Sequence, residues 1–401
     1  MNAPKLIFAF IGRKPLTWAF HALTLALGVA VVTALLLLSR SLNDRFDKDL
    51  AGVDLVVGAK GSPLQLILST VFALDTPTGN IPLRTAQTLE RFPLFKVVVP
   101  VSLGDSVGGY RIVGTQPSYG QLYDARIASG AWWTRPMQVT VGAEAARQLH
   151  MHLGQVFAGA HGLATGGELH ADTPYTVVGI LQPTGTIIDR LVLTDTASVW
   201  RVHEQEAVKQ EGLTPDEASS HREVTALMIK YRSALGAVMA PRLIQQEPGL
   251  QAAVPAIEMA RLNSLLGAGT QVLQDFGWGL LALSALGFFV ALVSAVSQRR
   301  RELALLRALG ARPALLFGLI AGEGLMLGLL GGIVGLGLGR AAAAVAAAVS
   351  THSGGPALAV PSFGAADLAI LGGAAALSLA ASVLPGLLAY RLNASLALQG
   401  A

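Results

Sequence analysis

"RRRELALLRALGARP", residues 299–313, lies between two long apolar runs. It carries Arg299, Arg300, Arg301, Arg307 and Arg312 against a single acid, Glu302. Glu302 to Leu309 is built of strong helix formers, with leucines at 303, 305, 306 and 309. Gly310 suits a helix terminator, and Pro313 suits the first turn of a following helix. The stretch therefore reads as a short amphipathic helix that joins two membrane spans. Positive charge of this density holds a connector on the cytoplasmic side. Composition alone leaves two uses open for it: resting on anionic lipid, or docking a cytoplasmic protein.

The rest of the chain supports a membrane setting. Of 401 residues, 52% are hydrophobic and 13% charged, and the mean hydropathy of +0.53 is too high for an ordinary soluble protein. The 45 glycines suit closely packed membrane helices. Zero cysteines exclude disulfides, Cys–zinc sites and thiol nucleophiles. The net charge of +4 is better read by position than as a sign of a nucleic-acid partner.

Residues 15–38 contain no acid, lysine or arginine, which is enough to cross ~30 Å of hydrocarbon. The run exceeds a signal-peptide core and lacks an A-x-A site at its end, so a retained anchor is expected. A second run covers 276–298 and a fourth covers 368–390. The third starts at Pro313 and stays apolar to about Ser350, interrupted by Glu323 and Arg340. It is either one long helix or two short spans. The cost of Arg340 at mid-membrane and the weak hydrophobicity of the alanines favour one long helix. Lys5, Arg13 and Lys14 precede the first run, Arg391 follows the fourth, and the loop between the third and fourth has no lysine or arginine. Four spans place every basic cluster inside, with both termini cytoplasmic.

The expected fold is thus a four-helix membrane unit with an α+β extracytoplasmic domain inserted between helices 1 and 2. The divisions are 1–41 (N-terminal segment and first span), 42–262 (outer domain), 263–298 (second span) and 299–312 (connector helix). After these come 313–350 (third span), 351–367 (outer loop) and 368–401 (fourth span and tail). Short β-type runs, "FKVVVPVSLGDSV", "YRIVGTQP", "MQVTVGA", "YTVVGIL" and "RLVLTD", alternate with helical pieces in the outer domain. The apolar stretch from Ser62 to Leu83 reads as core, with an exposed partner surface as the alternative. Trp132 and Trp133 read as core or a domain seam, and 206–224 as a polar loop.

In the third run Gly324, Gly328 and Gly332 recur every four residues, and Gly331, Gly335 and Gly339 form a second row. Such rows let helix backbones approach, either inside the bundle or in a dimer. Glu323 is expected to snorkel or to pair with an arginine. No metal is assigned. His150, His152, His161 and His170, with Glu168 and Asp172 nearby, are the candidates, because imidazole and carboxylate suit zinc. No G-x-x-x-x-G-K-[ST] loop occurs, so ATP hydrolysis by this chain is not expected.

Residues 297–339, "SQRRRELALLRALGARPALLFGLIAGEGLMLGLLGGIVGLGLG", resemble the FtsX-like permeases, membrane subunits of the MacB/LolC/FtsX class of ABC transporter. The pattern is R-R-x-E-[IL]-[AG]-x-[LM]-[RK]-A-[LI]-G-A, then a glutamate and glycine pairs. Glu302, Arg307, Gly310, Glu323, Gly331 and Gly332 fall on it. A second patch, 139–200, resembles the family's outer domain. The C-terminus departs from the family ending, lacking its second proline and final arginine.

The resemblance implies a mechanotransmitting subunit in the bacterial inner membrane. It would act with a second permease copy, identical or not, and a cytoplasmic ABC ATPase, with membrane lipid around it and a periplasmic partner outside. ATP and Mg would be bound by that ATPase, and no cofactor by this chain. Arg299, Arg300, Arg301, Glu302, Leu303, Leu306, Arg307 and Gly310 would form the coupling helix. The task would be export, extraction or hand-over of an envelope substrate. The alternatives are activation of a cell-wall hydrolase and a zinc-linked transport system.

Overall fold

The computed structural model describes residues 15–162, 170–206, 214, 222–352 and 358–391. The chain divides into two compact units, Asp44–Leu266 and the pair of segments Met1–Asn43 with Gly267–Ala401.

Four helices among the described residues are long and apolar enough to cross a membrane. They are α1 (Pro15–Leu50), α8 (Pro255–Gln298), α10 (Pro313–His352) and α11 (Ala365–Tyr390). Between α8 and α10 sits α9 (Arg300–Ala308). The third apolar run is one continuous helix, α10, of 40 residues. At 1.5 Å per residue it is about 60 Å long, twice the hydrocarbon thickness. Arg340 is accommodated by a partner: its Nη1 lies 2.9 Å from Asp367 Oδ1 at the start of α11. The other Asp367 oxygen accepts the Gly364 amide at 2.8 Å, capping α11.

The two glycine rows of α10 face two different helices of the same chain. Gly324 and Gly328 lie against Ser382, Ser378 and the Ala374 carbonyl of α11. Gly335 and Gly339 lie against the carbonyls of Ala26 and Ala30 in α1. A Cβ at Gly335 would stand 2.5 Å from the Ala26 oxygen, too close for any side chain without moving a helix. Rows offset by one residue, about 100° around the helix, let a single helix receive two neighbours at backbone distance.

The Asp44–Leu266 unit is α+β. One mixed sheet runs in the order β13 (Leu250–Ala253), β1 (Leu55–Ala59), β12 (Ala226–Tyr231), β3 (Phe95–Val107), β4 (Tyr110–Thr115), β10 (Val192–Asp195). It continues through β6 (Gln138–Val141), β9 (Tyr175–Leu181) and β5 (Ile127–Gly130). Two short strands hang off this path: β7 (Val156–Phe157) pairs with β9, and β8 (Ala160–His161) with β3. A separate two-stranded ladder joins β2 (Ile81–Pro82) to β11 (Glu223–Val224). The 13-residue β3 holds the sheet together: its first half pairs with β12 and its second with β4.

Both sheet faces are covered, so alternate residues of one strand enter different cores. Leu55 and Val57 pack on one side, and Val56 on the other. Helices α2 (Pro63–Thr70), α3 (Leu83–Glu90) and α7 (Ala234–Gln246) supply much of that cover, α2 through Leu66 and Ile67. Leu66, Ile67, Val71 and Phe72 of the stretch from Ser62 are therefore core, as is Trp133, while Leu74 is exposed. Helices α4 (Ser118–Leu122), α5 (Ala143–Gln148) and α6 (Thr196–Glu206) also belong to the unit. The turn Pro183–Asp189 is closed by its own acid: Asp189 accepts the Thr184 and Gly185 amides at 2.9 and 2.8 Å. Most of the polar stretch 206–224 lies outside the described residues.

The glycine rows make a sharp test. Gly335→Ala is expected to destabilise the chain by about 1–3 kcal/mol through overpacking. Gly337→Ala, whose Cβ would meet nothing within 4 Å, is expected to leave stability unchanged. Thermal unfolding in detergent separates the two, and equal effects would contradict the assigned contacts.

Candidate functional site

The connector helix α9 is two-faced. Leu303 and Ala304 are 1% and 0% exposed. They pack in a cluster with Phe288, Leu292 and Val296 of α8 and Leu316, Leu319 and Ile320 of α10. The opposite face presents Arg300, Arg301, Leu305, Leu309 and Arg312. Leu305 and Leu309, four residues apart, are 53% and 84% exposed. Two exposed leucines thus share the outer side of the connector with exposed arginines.

Both ends of α9 are fixed. At its start, Arg299 Nη1 lies 3.5 Å from Glu323 Oε1 on α10, and Glu323 is 2% exposed. The Trp18 indole of α1 also donates to Glu323. One carboxylate thus ties three helices together beside the connector. At the far end Gly310 takes φ +94°, a backbone conformation that favours glycine. Its amide donates to the Arg307 carbonyl at 3.0 Å, and the Ala311 amide donates to Leu306 at 3.0 Å. That pair of bonds is a Schellman stop, and Pro313 then opens α10.

The histidines separate. His150 and His152 are both exposed, and His152 Nδ1 contacts its neighbour's Leu153 carbonyl at 3.3 Å. His161 and His170 instead come together, joined by Asp105 from β3. Asp105 Oδ1 lies 3.3 Å from His170 Nε2 and 3.8 Å from His161 Nδ1. Burial pushes the nearby Tyr175 hydroxyl well above the usual phenol range, and the Asp105 charge adds to it. Glu168 lies outside the described residues.

A model of the MacB-like periplasmic core domain matches residues 19–241, and one of the FtsX-like permease C-terminal matches residues 276–394. The chain belongs to the FtsX/MacB-type ABC permeases. The solved periplasmic region of MacB from Actinobacillus actinomycetemcomitans is 10% identical. It covers 53% of this permease and 95% of its own chain, at a TM-score of 0.34. The extracellular domain of the noncanonic ABC-type transporter YknZ from Gram-positive bacteria is 13% identical. It covers 49% and 98%, at a TM-score of 0.30. A search of curated proteins gives no match.

The family resemblance put Leu303 and Leu306 among the coupling residues and left out Leu305 and Leu309, the exposed pair. Their i, i+4 spacing is the signal that finds the outer face. In the permease, Leu303→Ala is expected to cost about 2–4 kcal/mol by opening a cavity in the bundle. Leu305→Ala is expected to change stability by less than about 0.5 kcal/mol. Unfolding midpoints of the two purified variants check the division of faces.

Proposed function

We propose that this permease couples ATP hydrolysis by a separate cytoplasmic ATPase to movement of its extracytoplasmic domain. α9 is the contact through which force enters. The supporting observation is its split character: a buried half locked to α8 and α10, and an outer half of arginines around Leu305 and Leu309. A load applied to the outer half would pass into the spans through Leu303, packed against α8 and α10, and through the Arg299–Glu323 pair. ATP and Mg are bound by the partner, and a second permease copy completes the assembly. The setting is the bacterial inner membrane, and the cargo is an envelope substrate exported, extracted or handed over.

The test is co-purification. Arg301→Glu/Leu309→Glu is expected to abolish recovery of a Walker-motif ATPase with the tagged permease from native membranes. The variant itself should insert at wild-type level, because both side chains are exposed. Wild-type recovery of the ATPase with that variant, and unchanged ATP turnover, would refute the assignment.

A further inference from the structure

The cluster around Asp105 lies well away in sequence from the connector and is built differently. Strand β3 carries an irregularity against β4 between Leu103 and Ser106, and Asp105 falls inside it. Bulges of this kind re-aim a side chain. Here β8 pairs with the same stretch, setting His161 directly opposite Asp105. Two bonds hold that short strand down: the Gly162 amide donates to Gly104 at 2.8 Å, and Ser106 Oγ donates to the Gly162 carbonyl at 2.6 Å. A third anchors the main chain of the other histidine, the His170 amide donating to the Gly159 carbonyl at 2.9 Å. Gly159 and Gly104 keep the site narrow: a Cβ at Gly159 would touch Ile112, Tyr175 and Asp105. One at Gly104 would stand 2.6 Å from His203 Nε2. The His203 ring centroid is 5.8 Å from that of His161, so a third imidazole flanks the group.

Two features go beyond an ordinary ion pair. Both imidazole nitrogens converge on the same carboxylate oxygen, and one ligand atom from each of the three residues lies within 4.8 Å of the others. The separation of 3.3 Å between Asp105 Oδ1 and His170 Nε2 equals the edge of a tetrahedron with metal–ligand bonds near 2.0–2.1 Å, roughly 3.3 Å. Burial is also graded as a metal site needs. Asp105 and His170 are 1% and 8% exposed, while the His161 side chain is 58% exposed and leaves an approach from solvent.

We propose that Asp105, His161 and His170 form a three-ligand site for a borderline divalent cation, Zn2+ being the ion that this nitrogen-and-oxygen set suits best. Three protein ligands leave a fourth position for water or an exchangeable donor. Binding would clasp β8 and the His170 segment onto the β3 bulge, so the ion stabilises the domain by mass action. The proposal requires no ATPase and stands independently of the coupling role of α9.

The experiment uses the full-length chain in detergent, free of any polyhistidine tag, with Zn2+ alone in equilibrium dialysis. One Zn2+ per chain at micromolar concentration is expected, with a higher unfolding midpoint, and no binding of Mg2+ or Ca2+. Co2+ in place of Zn2+ should show the visible absorption of a low-coordinate site. His161→Ala removes an exposed ligand without touching the core, and is expected to weaken binding more than about tenfold. Asp105→Asn should do the same, and where it fails to fold His161→Ala decides. The exposed pair His150→Ala/His152→Ala should bind as wild type. Absence of stoichiometric Zn2+, binding indifferent to His161→Ala, or loss in the His150/His152 variant would overturn the site.

Discussion

Charge cannot be left unattended in hydrocarbon, and the membrane unit is organised by that constraint. An arginine at the centre of a spanning helix costs roughly 2.5–3.5 kcal/mol on insertion scales. Five arginines within residues 299–312 therefore make burial of the connector prohibitive, and the spans on either side must begin and end there. The two charges that do enter the apolar runs are each matched. Glu323 meets Arg299, and Arg340 meets Asp367. Each pair also joins separate elements, so the cost of burying charge is turned into a defined registry between helices.

Around those fixed points, close packing does the rest. With lipid as apolar as leucine, helices gain little from burying side chains alone and gain more from backbone approach. α10 meets this with glycines on two faces, one toward α11 and one toward α1. The connector then inherits rigidity from both directions: Leu303 and Ala304 sink between α8 and α10, and a Schellman stop at Gly310 fixes where α10 begins. The proposed transmission of force rests on this packed junction and its exposed arginine-and-leucine face.

Much of this was legible in the sequence because each signal was local. The four spans follow from uninterrupted apolar length, the end of α9 from Gly310 and Pro313, and the continuity of α10 from the cost of Arg340. Glycine spacing announced two rows but could not say which helix each would meet, since spacing carries no partner. The histidines show where local reading stops. His150 and His152 are neighbours in sequence, and both stay exposed outside the group around Asp105. His161 and His170 find their carboxylate in Asp105, which a bulge in β3 and the pairing of β8 bring across from a distant segment. Nothing short of the sheet register could have supplied it.

The proposed coupling requires the outer face of α9 to touch the ATPase, and the chain offers a direct way to ask. It contains no cysteine, so Leu309→Cys creates a unique thiol on the exposed face. The decisive measurement is thiol-directed cross-linking of that variant in native membranes, with the products identified by mass spectrometry. Coupling through α9 predicts a cross-link from position 309 to a Walker-motif ATPase, its yield changed by nucleotide. A thiol that labels freely from the aqueous side yet never joins an ATPase, while the complex is intact, would contradict it.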